Sequence, residues 1–327
     1  MKTIKEIIEI LDKTVIGQNE AKKELAIAAT MQQMRHYQLF ISQAPNVAPI
    51  KLPVILLAGQ SGTGKTTLVR SLAAAMNAPL LEIDVTSCSP PGWSGKTSTD
   101  EFEDLHKQIQ YMVQDSLMYK EFASVDGGEA RSIIFLDEFD KLFVPSEPNE
   151  KGYHKEKIFS WLKIIEGKII SKKDATSNYK LNTENMLFIL GGAFSYLEEV
   201  LAPSKQMGFV QTDEKTPEIE KDIMKKLGFP DELMGRVTSV VKLNSLTIPD
   251  LKRILLLPTG IIQQYKDFAR MYGVELIIKE SDIETIVTKA LEGQQGARKL
   301  EEITFKYFKD KLATLDYNQD MTRLVFL

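Results

Sequence analysis

Val54-Ile55-Leu56-Leu57-Ala58-Gly59-Gln60-Ser61-Gly62-Thr63-Gly64-Lys65-Thr66 decides the fold. Five apolar residues run into a glycine-rich turn, and Thr67-Leu68-Val69-Arg70-Ser71-Leu72 leaves it with helical spacing. Gly59 to Thr66 fits GxxxxGK[ST] at every fixed position, in the strand–loop–helix setting that this motif requires. Each part has a physical task. Glycines let the backbone curl until several N–H groups point inward at phosphate oxygens. The start of the helix, Thr67 included, adds orphan amides and a positive dipole end. Lys65 carries a mobile positive charge towards the β and γ phosphates of ATP, and the Thr66 hydroxyl is a ligand for Mg2+.

Further along, Ile133-Ile134-Phe135-Leu136-Asp137-Glu138 is an apolar strand ending in two carboxylates. Ligands of open α/β sheets collect at that edge. Asp137 is expected to help hold hydrated Mg2+, and Glu138 to polarise the water that attacks the γ-phosphate. The two halves together read as an ATPase site.

Apolar blocks at 79–83 and 186–190 resemble the first strand, and such blocks suit strands buried on both faces of a parallel sheet. Helical patterns fill 65–76, 100–119 and 155–166 between them. The expectation is an α/β fold, a P-loop NTPase whose parallel sheet is sandwiched by helices. Residues from about 3 to 40 also read as helices, interrupted at Val15-Ile16-Gly17-Gln18. Polar stretches at 145–155, 171–185 and 203–221 read as exposed loops. Beyond Val240 helical patterns take over, at 249–256, 260–271, 282–291 and 297–315, with brief strands at 274–278 and 322–326. A large nucleotide-binding domain is expected over residues 1–245, and a smaller, mostly helical lid domain over 246–327.

Composition narrows the function. Of 327 residues, 41 are Lys or Arg and 45 are Asp or Glu, so the formal net charge is −4. Nucleic-acid binding usually leaves a basic footprint, and none is visible. No apolar run approaches the roughly 18–20 residues of a membrane span. The start, Met1 to Lys13, mixes charged and apolar residues like an amphipathic helix, not a signal peptide. A lone cysteine, Cys88, excludes an internal disulfide, and His36, His106 and His154 lack metal-ligand spacing. A reducing, cytoplasmic setting is expected.

Several motifs then occur in one order: Val15-Ile16-Gly17-Gln18-Asn19-Glu20-Ala21-Lys22-Lys23, the phosphate loop, Phe188-Ile189-Leu190-Gly191-Gly192-Ala193-Phe194, Phe229-Pro230-Asp231-Glu232-Leu233-Met234-Gly235-Arg236 and Gly296-Ala297-Arg298-Lys299-Leu300. Over nearly the whole chain they resemble the AAA+ protein unfoldases of the ClpX and HslU type. The resemblance implies that Val15 and Ile16 line an adenine pocket. It implies that Arg236 is an arginine finger entering the neighbouring subunit's site, and that Arg298 reads the γ-phosphate of its own subunit. Where the family carries a Gly-aromatic-hydrophobic-Gly pore loop, this chain has Gly92-Trp93-Ser94-Gly95, so the aromatic is kept and its apolar partner is replaced. An aromatic side chain can grip unfolded chain through contact area alone. A second pore loop is expected between Phe143 and His154. Met207-Gly208-Phe209 stands where the family carries Ile-Gly-Phe to dock a separate peptidase. The cysteine-rich zinc domain that precedes the motor in ClpX is expected to be absent. At Gly191-Gly192 no polar sensor residue is evident.

What the resemblance implies is an ATP- and Mg2+-dependent unfoldase that acts on protein substrates as a homo-oligomer, a hexameric ring, and feeds a separate peptidase. Two alternatives stay open: a nucleic-acid motor on the same fold, which the acidic balance argues against, and a nucleotide-gated assembly factor.

Overall fold

The computed structural model describes residues 1–42, 48–89, 97–114, 128–143, 151–173, 178–194, 229–292, 296–313 and 323–326. Its centre is a five-stranded, wholly parallel sheet in the order β2-β3-β6-β1-β7. The strands are β1 (Val54–Ala58), β2 (Leu80–Asp84), β3 (Ile133–Asp137), β6 (Leu187–Gly192) and β7 (Val237–Lys242). Strand residues alternate between two cores, as the period of two demands. Leu56, Ile134 and Phe188 face α4 (Phe102–Gln114) and α5 (Lys151–Ile165), packing with Phe102, Leu105 and Trp161. Ile55, Phe135 and Ile189 face α1 (Ile4–Asp12), α2 (Asn19–His36) and α3 (Lys65–Met76), packing with Leu11, Leu25 and Leu72. Both faces being covered explains why the central strands are almost uninterruptedly apolar.

The first helix is fixed by a capping box: the Glu6 amide donates to the Thr3 hydroxyl and the Thr3 amide to the Glu6 carboxylate. Its separation from α2 comes from two consecutive left-handed residues, Gly17 (φ +69°) and Gln18 (φ +57°).

Among the described residues, the buried members of a third core all lie between Leu251 and Phe308, with Leu255, Ile286 and Leu300 fully buried. It joins α7 (Ile248–Leu255), α8 (Ile261–Met271), α9 (Glu280–Glu292) and α10 (Gly296–Leu312). Beside it, β8 (Val274–Ile277) pairs in parallel with β9 (Arg323–Phe326). A second capping box, Thr247 with Asp250, starts α7, and Pro249 sits in its first turn.

The structure corrects the expected layout in several places. The stretch 171–185 is not a loop: it holds most of an antiparallel hairpin, β4 (Ile169–Lys173) with β5 (Asn178–Asn182), and a 3-10 turn over Thr183–Asn185. Buried Ile170 lies between exposed Ile169 and Ser171, and buried Tyr179 and Leu181 alternate with Asn178, Lys180 and Asn182, so the apolar signal is real but thin. The stretch expected as a loop up to 155 is already helical from Lys151. β7 was not expected either. It pairs with β1 alone, as an edge strand, and Thr238 and Ser239 break up its apolar run. The helix expected over 100–119 is described only to Gln114, and the stretch 203–221 lies outside the described residues. Among the described residues no helix is long and apolar enough to cross a membrane.

Replacing Thr247 by Ala removes the side chain that caps α7. Amide exchange in that helix is expected to speed up by an amount equivalent to about 1 kcal/mol; unchanged protection would show the cap to be idle.

Candidate active site

The phosphate loop joins the C-terminal end of β1 to the N-terminus of α3. Thr63 closes it, its amide (3.3 Å) and hydroxyl (2.8 Å) both donating to the Gln60 carbonyl. Lys65 Nζ turns back onto the loop and donates to the carbonyls of Gly59 and Gln60. Burial holds its pKa below the usual lysine range, opposed by the nearby charges of Asp137, Asp140 and Glu138. A cleft of about 420 Å³ opens over α3, lined by Gly62, Lys65, Thr66, Asp137, Glu138 and Arg298 among others. The cleft is thus polar and of mixed charge, and the first-turn amides of α3 have no intrahelical partners to satisfy them.

β6 lies between β1 and β3, so Asp137 must face Thr66 across the end of β6. Gly191 and Gly192 make that approach open. A Cβ at Gly191 would lie 2.7 Å from the Phe135 ring and 3.2 Å from Asp137 Oδ1. At Gly192 it would lie 2.5 Å from the Phe194 ring and 2.6 Å from Asp140 Oδ1. No polar sensor can stand there because carboxylates and rings already fill the space. As a result Thr66 Oγ1 comes to 3.5 Å from Asp137 Oδ2. Hard oxygens of a hydroxyl and a carboxylate are donors of the kind that Mg2+ shares with phosphate and water, so the pair fits that ion. Glu138 follows in a left-handed conformation (φ +57°), which bends the chain into the 3-10 turn Phe139–Leu142 while the carboxylate lines the cleft.

Asp140, buried in that turn, was not singled out by the sequence reading. It accepts hydrogen bonds from the amides of Ala193 (3.2 Å) and Phe194 (3.4 Å), pinning the exit of β6 to the exit of β3. Its spacing of three from Asp137 was the available signal.

The helical C-terminal core reaches the loop directly. The Ala297 amide donates to the Gly62 carbonyl (3.2 Å), and Arg298 Nη1 donates to the Ser61 hydroxyl (3.0 Å). Gly296 stands against the same carbonyl at φ +52°, where a Cβ would come within 2.6 Å of it. Gln18 adds a clamp. Its side chain donates to the carbonyls of Thr63 (3.2 Å) and Asn244 (2.8 Å) and accepts from the Asn244 amide (2.9 Å). Val15 and Ile16 are buried, Val15 within the α1–α3 core, and neither is among the described residues lining the cleft.

Arg236 is elsewhere. It precedes β7, whose first residue pairs with the first residue of β1, so the five residues of β1, roughly 17 Å, separate its level from the phosphate loop. Its Nε (3.0 Å) and Nη2 (2.8 Å) both donate to Glu166 Oε1. Gly92, Trp93, Ser94 and Gly95 lie outside the described residues, as do Met207, Gly208, Phe209 and residues 144–150 of the second expected pore loop.

Residues 55–190 match the ATPase family associated with various cellular activities (AAA). Over 95% of its length the chain is 32% identical to the ATP-dependent Clp protease ATP-binding subunit ClpX of Treponema denticola, covering 76% of that protein. The chain belongs to the ClpX family of AAA ATPases. ClpX of Borrelia duttonii is 27% identical over 99% of this chain and 77% of its own. ClpX of Bacteroides thetaiotaomicron is 29% identical over 91% and 73%. Membership in this family makes the chain an ATP-binding, ATP-hydrolysing protein.

Gly296→Ala tests the link between the helical part and the loop. Left-handed strain and the clash with Gly62 are expected to weaken ATP binding roughly tenfold, measured by calorimetric titration. Wild-type affinity would mean that α10 can leave the loop without consequence.

Proposed function

We propose that this ClpX-family chain is an ATP-driven protein unfoldase, working as a hexameric ring that threads protein substrates through its pore. The observation that carries the reading is the separation of Arg236 from its own phosphate loop by the length of β1. An arginine side chain cannot span that distance, so Arg236 cannot complete its own subunit's site, which supports a role in a neighbour's.

Within one subunit, the loop amides and Lys65 would cradle the phosphates. Thr66 and Asp137 would hold Mg2+, which when bound supplies charge neutralisation at the β- and γ-phosphates. Glu138 would orient and deprotonate the attacking water. Arg298, already hydrogen-bonded to the loop through Ser61, would sense the γ-phosphate from the small domain. Arg236 of the adjoining subunit would complete the charge stabilisation, an effect that can reach ~10³–10⁵ in rate. Cutting the γ-phosphate would release Arg298, and a small domain, which we take to begin near residue 246, would tilt about the Gln18-clamped segment at Asn244. Ser89 and Thr97, which flank Trp93 in the sequence, pair in a β-bridge, and β2, which precedes Ser89, ends with Asp84 beside Asp137. Chemistry at Asp137 and grip at Trp93 would therefore share one rim of the sheet. Met207-Gly208-Phe209 would dock a separate peptidase, the role suggested by the names of the ClpX relatives.

Subunit mixing tests the shared site. Lys65→Ala rings keep the finger and lose the pocket; Arg236→Ala rings keep the pocket and lose the finger. A mixture is expected to hydrolyse ATP faster than either parent, and a mixture as inactive as both would sink the reading. Threading is tested separately. Trp93→Ala is expected to retain ATPase within about twofold and lose unfolding of a tagged, stably folded protein, since the loop supplies contact area rather than chemistry. Unimpaired unfolding would leave a nucleotide-gated assembly factor as the better description.

A further inference from the structure

Glu166 occupies a place that folding alone does not favour. It follows Ile165, the last residue of α5, where the helix dipole disfavours a carboxylate. Yet its backbone is held firmly. The Glu166 amide donates to Leu162 O (2.9 Å) and the Gly167 amide to Ile164 O (3.3 Å). The Thr183 hydroxyl donates to Ile164 O (2.7 Å) and accepts from the Lys168 amide (2.8 Å). Trp161, Leu162, Ile164 and Ile165 beneath it are buried in the core. Glu166 is therefore a fixed post carrying a charge at the unfavourable end of a helix.

Arg236 leans on that post. Its backbone is anchored between the four-residue helix α6 (Asp231–Met234) and β7, with its amide donating to Leu233 O, but its side chain is long and has to be held by a partner. Both Nε and Nη2 donate to the same oxygen, Glu166 Oε1. That engages the side edge of the guanidinium and leaves its end edge, Nη1 with the second Nη2 hydrogen, outside this contact. A guanidinium has five donors in a fixed fork, so one carboxylate oxygen can splint it while the end edge remains for phosphate oxygens. The neighbouring acid is committed elsewhere, since Glu184 pairs with the buried Arg35 (3.3 Å). Arg236 remains 41% exposed, and an ion pair this open adds little to folding.

We propose that Glu166 is the positioning residue for Arg236, splinting the guanidinium in an extended pose whose free edge meets the neighbouring subunit's γ-phosphate. This rests on the reading of Arg236 as the finger. Misplacing a catalytic group by about 1 Å can cost on the order of a hundredfold in rate, so a long, 41% exposed side chain needs such a partner.

The test compares steady-state ATPase of full-length rings with nucleotide affinity and melting temperature. Glu166→Ala is expected to lower kcat on the order of tenfold, with KM for ATP and melting temperature close to wild type. Glu166→Gln, which keeps the acceptor oxygen, is expected to recover most of the loss. In an Arg236→Ala background, Glu166→Ala should have no further effect. Wild-type kcat in Glu166→Ala, with Arg236→Ala inactive, would overturn the splint and leave the finger standing. Full activity in Arg236→Ala would instead remove the finger reading itself. An equal loss on adding Glu166→Ala to either background, with a lower melting temperature, would reduce Glu166 to a structural role and overturn the proposal.

Discussion

The hydrogen bond from the Ala297 amide to the Gly62 carbonyl, with that from Arg298 to Ser61, joins two cores that each pack within themselves. It places the N-terminus of α10, with Arg298 one residue on, against the phosphate loop. A positive helix end and an arginine are thereby delivered to the mouth of the cleft from the helical C-terminal part, while Lys65, Asp137 and Glu138 come from the sheet. The cleft over the loop is thus lined from both cores, and α10 is bonded to the loop itself.

On the opposite wall the controlling constraint is space. β6 separates the strand that carries the loop from the strand that carries the acids, and its last two residues have no side chains. Phe135, Asp137 and Asp140 occupy the room that a side chain would need. Asp140 then ties the chain leaving β6 to the chain leaving β3, and Phe139, Phe143, Phe194 and Phe229 cluster around it, with Phe143 and Phe229 stacked at 4.5 Å. Phe229 begins the short segment that leads to Arg236. The acids and Arg236 therefore share one aromatic support, although they lie at opposite ends of the sheet's strands.

The sequence made the phosphate loop, the Asp137-Glu138 strand end and the Gly296-Ala297-Arg298 helix start legible because each is a contiguous pattern with fixed spacing. The central strands were legible because burial on both faces leaves them apolar throughout. What stayed hidden depends on distance along the chain. Gln18 meets Asn244 across 226 positions, Arg236 meets Glu166 across 70, and Asp140 meets Ala193 across 53. No local pattern encodes such pairs. The edge strand β7 and the hairpin β4–β5 were missed for another reason: half-covered strands carry Thr, Ser, Lys and Asn at alternate positions, which read as loop.

The Gln18 clamp has a mechanical consequence. One amide side chain grips both the loop and the start of the connection to α7, so the point about which the helical part can swing sits beside the phosphates. α10 has 17 residues, about 25 Å of rigid rod. A tilt of roughly 10° at its loop end sweeps the far end through about 4 Å. On the proposed reading, the loss of a single phosphate group, an event of atomic size, would be geared up by leverage into travel on the scale of one residue of extended polypeptide.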